Sequence, residues 1–297
     1  MHAARFAVAG GLVLAGLTIV AGASAQVIDP ACDVNSDGVV DGYNANTYPG
    51  ETRQYHRMLT FFAFALDSSP MHAPLAYTPQ RLNTSVGVKY VPQLSCLERT
   101  VFDGTKTERT NKTPVMPELH VGYGLPLGFY VGATGVPPVK LFGVQTLVLG
   151  AEAGYGRRLG SNVEVGGRTH VTHARVTGDL VGPMSGLEQD AVEDSYRASI
   201  FGIEGSVGYG FDIDTVRLVP YAGAGFTGIL AYMLIGEDKY EVDESGGYYG
   251  ANFEAGAHAR VDRWDMAAEV FMAPNMRDRS ARFFASPRLR IGYEFGP

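Results

Sequence analysis

The stretch "YYGANFEAGAHARVDRWDMAAEVFM", Tyr248 to Met272, decides how the chain folds. Taken two residues at a time, its first half puts Tyr249, Ala251, Phe253, Ala255, Ala257, Ala259 and Val261 on one parity. Gly250, Asn252, Glu254, Gly256, His258 and Arg260 fall on the other. Alternate side chains of a strand point to opposite faces, so an apolar face here backs a polar one. A tight turn at Asp262-Arg263 follows. The pattern then resumes with Trp264, Met266, Ala268, Val270 and Met272 against Asp265, Ala267, Glu269 and Phe271. Strands of soluble domains centre on about 5–6 residues, whereas a tilted strand crossing a bilayer needs about 9–11. The length fits the second case, a hairpin of a barrel whose apolar face meets lipid.

The same rhythm extends on both sides. Ten strands are expected at 82–94, 115–124, 127–135, 142–156, 161–176, 196–211, 216–231, 247–261, 264–273 and 286–296. Connections at Leu125-Pro126, Arg157 to Gly160, Asp212 to Thr215 and Asp262-Arg263 are tight. Those at 95–114, 136–141, 177–195, 232–246 and 274–285 are longer, and the two kinds alternate. Outer-membrane barrels have short periplasmic turns, longer external loops and an even strand count. Aromatic residues form two expected girdles: Tyr123, Phe129, Tyr155, Tyr209, Phe211, Trp264, Tyr293 and Phe295 near the short turns, and Tyr90, Phe142, Phe201, Phe226, Tyr249 and Phe271 near the long loops.

The last strand, "PRLRIGYEFGP", carries Leu289, Ile291, Tyr293 and Phe295 on one face. It resembles the C-terminal strand of bacterial outer-membrane proteins, which ends in an aromatic residue read by the barrel-assembly machinery; here Gly296 and Pro297 follow the aromatic. The stretch "TPVMPELHVGYGLPLGFYVGATGVPPVKLFGVQ" likewise looks like small barrels of Gram-negative bacteria. The resemblance covers roughly 81–297. It implies an all-β, antiparallel up-and-down transmembrane barrel in the outer membrane, with lipid and lipopolysaccharide around it, and it implies no activity. A soluble β-sandwich is the architectural alternative.

Residues 1–25 combine Arg5, the apolar run "FAVAGGLVLAGLTIV" and Ala23-Ser24-Ala25, the pattern of a secretory signal peptide. The formal charge is −7, with no basic cluster, which argues against a nucleic-acid partner. Cys32 and Cys96 are the only cysteines of a chain bound for an oxidising compartment, where a lone pair bridges by default. On the expected topology Cys96 opens the first external loop while the barrel begins at the periplasm. A bridge would therefore need residues 26–80 to thread the lumen as a plug or to lie along the outside. Otherwise the strand numbering is wrong or the bond does not form.

Within 26–80, "ACDVNSDGVVDGYN" sets Asp33, Asn35, Asp37, Gly38, Val39, Asp41 and Asn44 at positions one, three, five, six, seven, nine and twelve of a calcium loop. Oxygen ligands so spaced can encircle a hard cation. The loop resembles those of dockerin and thrombospondin type-3 repeats, but Asn44 replaces the bidentate Glu at position twelve. An Asp/Asn/Gly-rich solvated turn is the plainer reading. The run "YHRMLTFFAFALDSSP" is apolar without a period that separates helix from strand.

With the apolar parity on lipid, Lys89, Glu118, His120, Glu152, Glu164, Arg168, His170, Glu204, Asn252, Glu254, His258, Arg260, Glu269, Arg288, Arg290 and Glu294 face inward. Such a mixed-charge lumen suits a barrel closed by paired charges, with a structural or surface-interaction role. Two other functions compete with it. One is a narrow, porin-like channel gated by 26–80. The other is an outer-membrane hydrolase using His170 or His173 with the acids of the 177–195 loop, for which no motif speaks.

Overall fold

The computed structural model describes residues 30–36, 39–42, 51–75, 77–101, 106–107, 114–141, 143–178, 180, 194–237, 240–274 and 284–296. The leader expected at 1–25 lies outside them, as do Asp37, Gly38, Asn44 and Phe142. Ten long strands make the wall: β1 (Leu82–Tyr90), β2 (Val115–Gly124), β3 (Phe129–Leu141), β4 (Val144–Leu159), β5 (Val163–Gly178), β6 (Asp194–Tyr209), β7 (Val216–Glu237), β8 (Tyr240–Val261), β9 (Trp264–Ala273) and β10 (Phe284–Phe295). Each pairs antiparallel with its sequence neighbour. β10 then pairs with β1, from Leu82 opposite Phe295 to Lys89 opposite Arg288, and closes the sheet.

Closure removes every edge at membrane depth, which hydrocarbon demands because it offers the backbone no hydrogen bonds. The outward parity is apolar. Val86, Leu119, Val131, Val171, Ile203, Phe253, Leu289 and Ile291 are all exposed on the outer wall. At the short-turn end Phe129 meets Tyr155 at 4.9 Å, Tyr209 meets Phe211 at 4.9 Å and Trp264 meets Tyr293 at 5.2 Å, forming one girdle. Tyr249 lies 6.1 Å from Phe201 and 6.5 Å from Phe226 in the other.

Three expectations need correction. The segments 136–141, 232–237 and 240–246 are strand, not loop. β3 continues to Leu141, and β7 and β8 stay paired out to Glu237 opposite Tyr240. Beyond the membrane the outward face need not be apolar, so the lipid-facing alternation stops before the strand does. Phe271 belongs to no girdle; it is 1% exposed and faces inward.

The run that period could not assign is helix α1 (Glu51–Leu66). It lies inside the barrel at the tall, long-loop end. Across 67–75 and 77–78 the chain then descends without helix or strand, and Pro79 bridges to Gly124 at the short-turn end. There Gln80 N donates to Gly124 O at 2.7 Å, and β1 begins. Cys32 and Cys96 are bonded, with Cα atoms 5.4 Å apart. Of the ways to reconcile that bond with the strand order, the chain takes the lumen.

Candidate functional site

The lumen has two zones. Toward the tall end the inward parity is itself apolar: Val136, Val144, Val148, Ala174, Val176, Ala198, Ile200, Ile229, Ala231 and Met233 are all buried. They surround Met58, Leu59, Ala63, Phe64 and Leu66 of α1 in a single cluster. Phe64 sits 5.2 Å from Tyr248, 6.2 Å from Phe271 and 5.4 Å from Phe284, ring centre to ring centre. Tyr196 donates its hydroxyl to the Leu59 carbonyl at 2.7 Å. The wall thus presents grease where the helix presents grease. "LVLG", "ASIFGI" and "GILAYMLIG", apolar on both parities, were the sequence signal that something apolar lies inside.

Toward the periplasmic end the lumen is polar, and the descending chain is woven into it. The Lys89 ammonium donates to the Asp67 carbonyl at 2.7 Å and pairs with Glu118 at 2.5 Å. The Asp67 carboxylate lies 3.3 Å from His170. Arg288 donates to the Ser69 hydroxyl and lies 4.3 Å above the Phe271 ring. Arg168 donates to the His72 carbonyl at 3.3 Å, to Glu204 at 2.6 Å and to Glu254. Asn252 donates to Glu204 and to Thr227. Glu152 is the hub of the next layer down. It is 3.3 Å from His72 and 2.8 Å from His120, and it accepts the Tyr77 hydroxyl at 2.9 Å. Tyr221 donates to Glu269 at 2.7 Å.

At the periplasmic mouth Asp265 pairs with His258 at 2.5 Å and Arg290 at 2.6 Å. Glu294 accepts the Thr78 hydroxyl and pairs with Arg260 at 3.3 Å and Arg81 at 3.6 Å. Glu164, set apart on β5, pairs with Arg217 at 2.9 Å and Arg158 at 3.5 Å. Buried charges persist only when paired or hydrogen-bonded, and this lumen pairs them with each other and with the plug. Of the fifteen inward charges expected from parity, fourteen are buried and Arg260 is intermediate.

Plug and wall are fitted backbone to backbone at two points. A Cβ on Gly156 would stand 2.1 Å from the Pro74 carbonyl oxygen, and one on Gly124 would stand 2.1 Å from that of Thr78. Only glycine lets the wall come so close.

Of the acid and histidine set considered for hydrolysis, the described members do not converge. His170 points into the lumen, whereas His173 points outward, 3.2 Å from Ser199 on the same outer face. Asp194 accepts the Leu180 amide at 3.0 Å, and the other loop acids lie outside the described residues. In the candidate calcium loop, Asp41 accepts the Val34 amide and the Asn35 side chain, both at 2.8 Å, closing the loop across six to seven residues. Among the described residues no three His, Cys, Asp or Glu side chains converge as a metal-ligand group.

A closed wall, an apolar exterior between two aromatic girdles and an interior occupied by part of the N-terminal segment define the class: an outer-membrane β-barrel of ten strands. No protein-family model matches the sequence, and comparison with curated proteins finds no match. Among solved structures, the translocator domain of autotransporter NalP from Neisseria meningitidis is similar at 12% identity over 85% of this chain and 100% of that one, TM-score 0.42. The outer-membrane protease OmpT from Escherichia coli is similar at 7% identity over 74% and 99%, TM-score 0.40. Ail, the attachment invasion locus protein of Yersinia pestis, solved with the heparin analogue sucrose octasulfate, is similar at 12% identity over 73% and 100%, TM-score 0.34. These likenesses describe strand architecture alone.

Proposed function

We propose that the protein is a permanently plugged barrel with a structural or surface-interaction role, working through its outer end and not by passing solutes or by catalysis. One observation carries this reading. The segment from Met58 to Ala73 is buried almost throughout, in contact with wall side chains from both zones of the lumen. Its apolar half and its polar half each match the wall beside them. A plug so matched costs several broken ion pairs and a large apolar area to remove, far beyond thermal energy.

A second reading, a narrow channel opened by movement of residues 51–80, draws on one feature of the seam. Asp67 Oδ2, Ser68 Oγ and Arg288 Nε are buried without a hydrogen-bond partner among the described residues. Planar-bilayer recording separates the two. The permanently plugged barrel stays silent at either polarity, with or without reductant. Discrete opening events from the intact chain would contradict it in favour of the gated channel.

Calcium at Asp33, Asn35, Asp37, Val39, Asp41 and Asn44 belongs to the proposal as an accessory that would stiffen the external segment. Calorimetric titration of the folded protein tests it; no heat of binding at millimolar calcium would remove it.

A further inference from the structure

Outside the lumen, the wall carries a second arrangement of charge. In the β5–β6 pairing Arg175 stands directly opposite Arg197, and both are exposed on the outward face. Side chains directly opposite across antiparallel strands have Cβ atoms about 4.5–5.5 Å apart, and like charges there repel. Neither arginine has an ion pair or side-chain hydrogen bond among the described residues. His173 and Ser199 occupy the next outward pair below them. Lys140 of β3 adds an exposed positive charge at the same end. Below the pair the outward face of these strands turns apolar, with Leu149, Val171, Phe201 and Ile203 exposed.

Height along the wall identifies what faces this pair. Arg197 is twelve residues above Tyr209 of the periplasmic girdle in β6, and Arg175 is twelve above Val163 in β5. At about 3.3 Å per residue that is roughly 40 Å of strand, which a tilt of about 35–45° reduces to roughly 30 Å along the membrane normal. The apolar band of such barrels is about 25 Å tall. The arginines therefore stand just above the hydrocarbon of the outer leaflet, at the depth of its headgroups. Guanidinium groups recognise phosphate by charge-assisted, often bidentate hydrogen bonds, and an anion between two of them turns repulsion into attraction.

We propose that Arg175 and Arg197 form a seat for the phosphate of an outer-leaflet lipid headgroup. The site lies on the lipid side of the wall and is independent of the plug. The acyl chains of that lipid would lie against Leu149, Val171 and Phe201 below.

The test compares the intact chain with the double variant Arg175→Gln/Arg197→Gln, each folded in maltoside micelles, which contain no phosphate. Diphosphorylated lipid A, the same lipid stripped of phosphate, and inorganic phosphate are titrated in turn, and the thermal unfolding midpoint is followed. Diphosphorylated lipid A raises the midpoint of the native protein, the other two do not match it, and the variant needs about 30-fold more lipid for half the effect. In lipid-free micelles the variant is at least as stable as the native protein, because a repulsive pair has been removed. An equal response of both proteins to lipid A overturns the proposal, as does inorganic phosphate alone reproducing the shift. A variant already destabilised without lipid would instead make the arginines structural, and overturns it too.

Discussion

At the scale of single residues, the fit between plug and wall rests on positions where a side chain is forbidden. Gly156 lies against the Pro74 carbonyl, so Gly156→Leu forces the plug off the wall and should destabilise by about 1–3 kcal/mol. Gly167 is the control. A Cβ there meets nothing nearer than the Glu204 carbonyl at 3.7 Å, so Gly167→Ala should be near neutral. Urea unfolding followed by the gel shift of the folded barrel measures both; equal losses would mean that the close approach at Pro74 is unimportant. Parity alone named Lys89, Glu152 and Arg168 as inward, because a charge facing lipid would be expensive. It could not say what they pair with, since Asp67, His72 and Tyr77 come from a segment with no period. Sequence placed Phe271 in a girdle by its height on the strand, although its parity pointed inward, and parity is the stronger constraint.

At the scale of elements, the outer wall obeys a depth rule. Tyr209 marks the periplasmic girdle of β6 and Phe201 the outer one, so the midpoint falls at Gly205, with outward-facing Ile203 and Val207 two residues to either side of it. Ile203→Arg should cost about 2–4 kcal/mol and Tyr209→Arg about 0–1 kcal/mol. The comparison is made by unfolding in lipid vesicles, and a penalty independent of depth would contradict the assigned membrane position. Strand boundaries within the membrane were legible because lipid imposes alternation there. Beyond it the tips of β3, β7 and β8 read as loops, since Pro137, Pro138 and the acidic run after Gly236 break the pattern, while β3 pairing resumes at Val139 past a bulge and β7 and β8 stay paired to Glu237 opposite Tyr240. The Met58–Leu66 half of helix α1 was undecidable by period for a physical reason: enclosed by the lumen, it needs no polar face.

At the scale of the whole molecule, one covalent bond reports the topology. Chain entering the lumen beside Cys32 and the loop bearing Cys96 meet at the tall end, which the turn pattern assigns to the cell surface. Cys32→Ser frees Cys96 there, and a membrane-impermeant maleimide should label it on intact cells. Labelling that needs a permeabilised outer membrane would invert the orientation. The sequence already contained the conflict between a periplasmic start at residue 81 and an external partner for Cys32, but periodicity could not choose among its resolutions. Packing could, through the apolar upper lumen and the paired lower one. The central claim is that the barrel is filled by its own chain, and hydrogen exchange of the membrane-inserted protein tests it most directly. Amides between Met58 and Ala73 should exchange as slowly as those of the wall strands β5 and β6, whereas exchange within seconds across that segment, with the strands still protected, would contradict it.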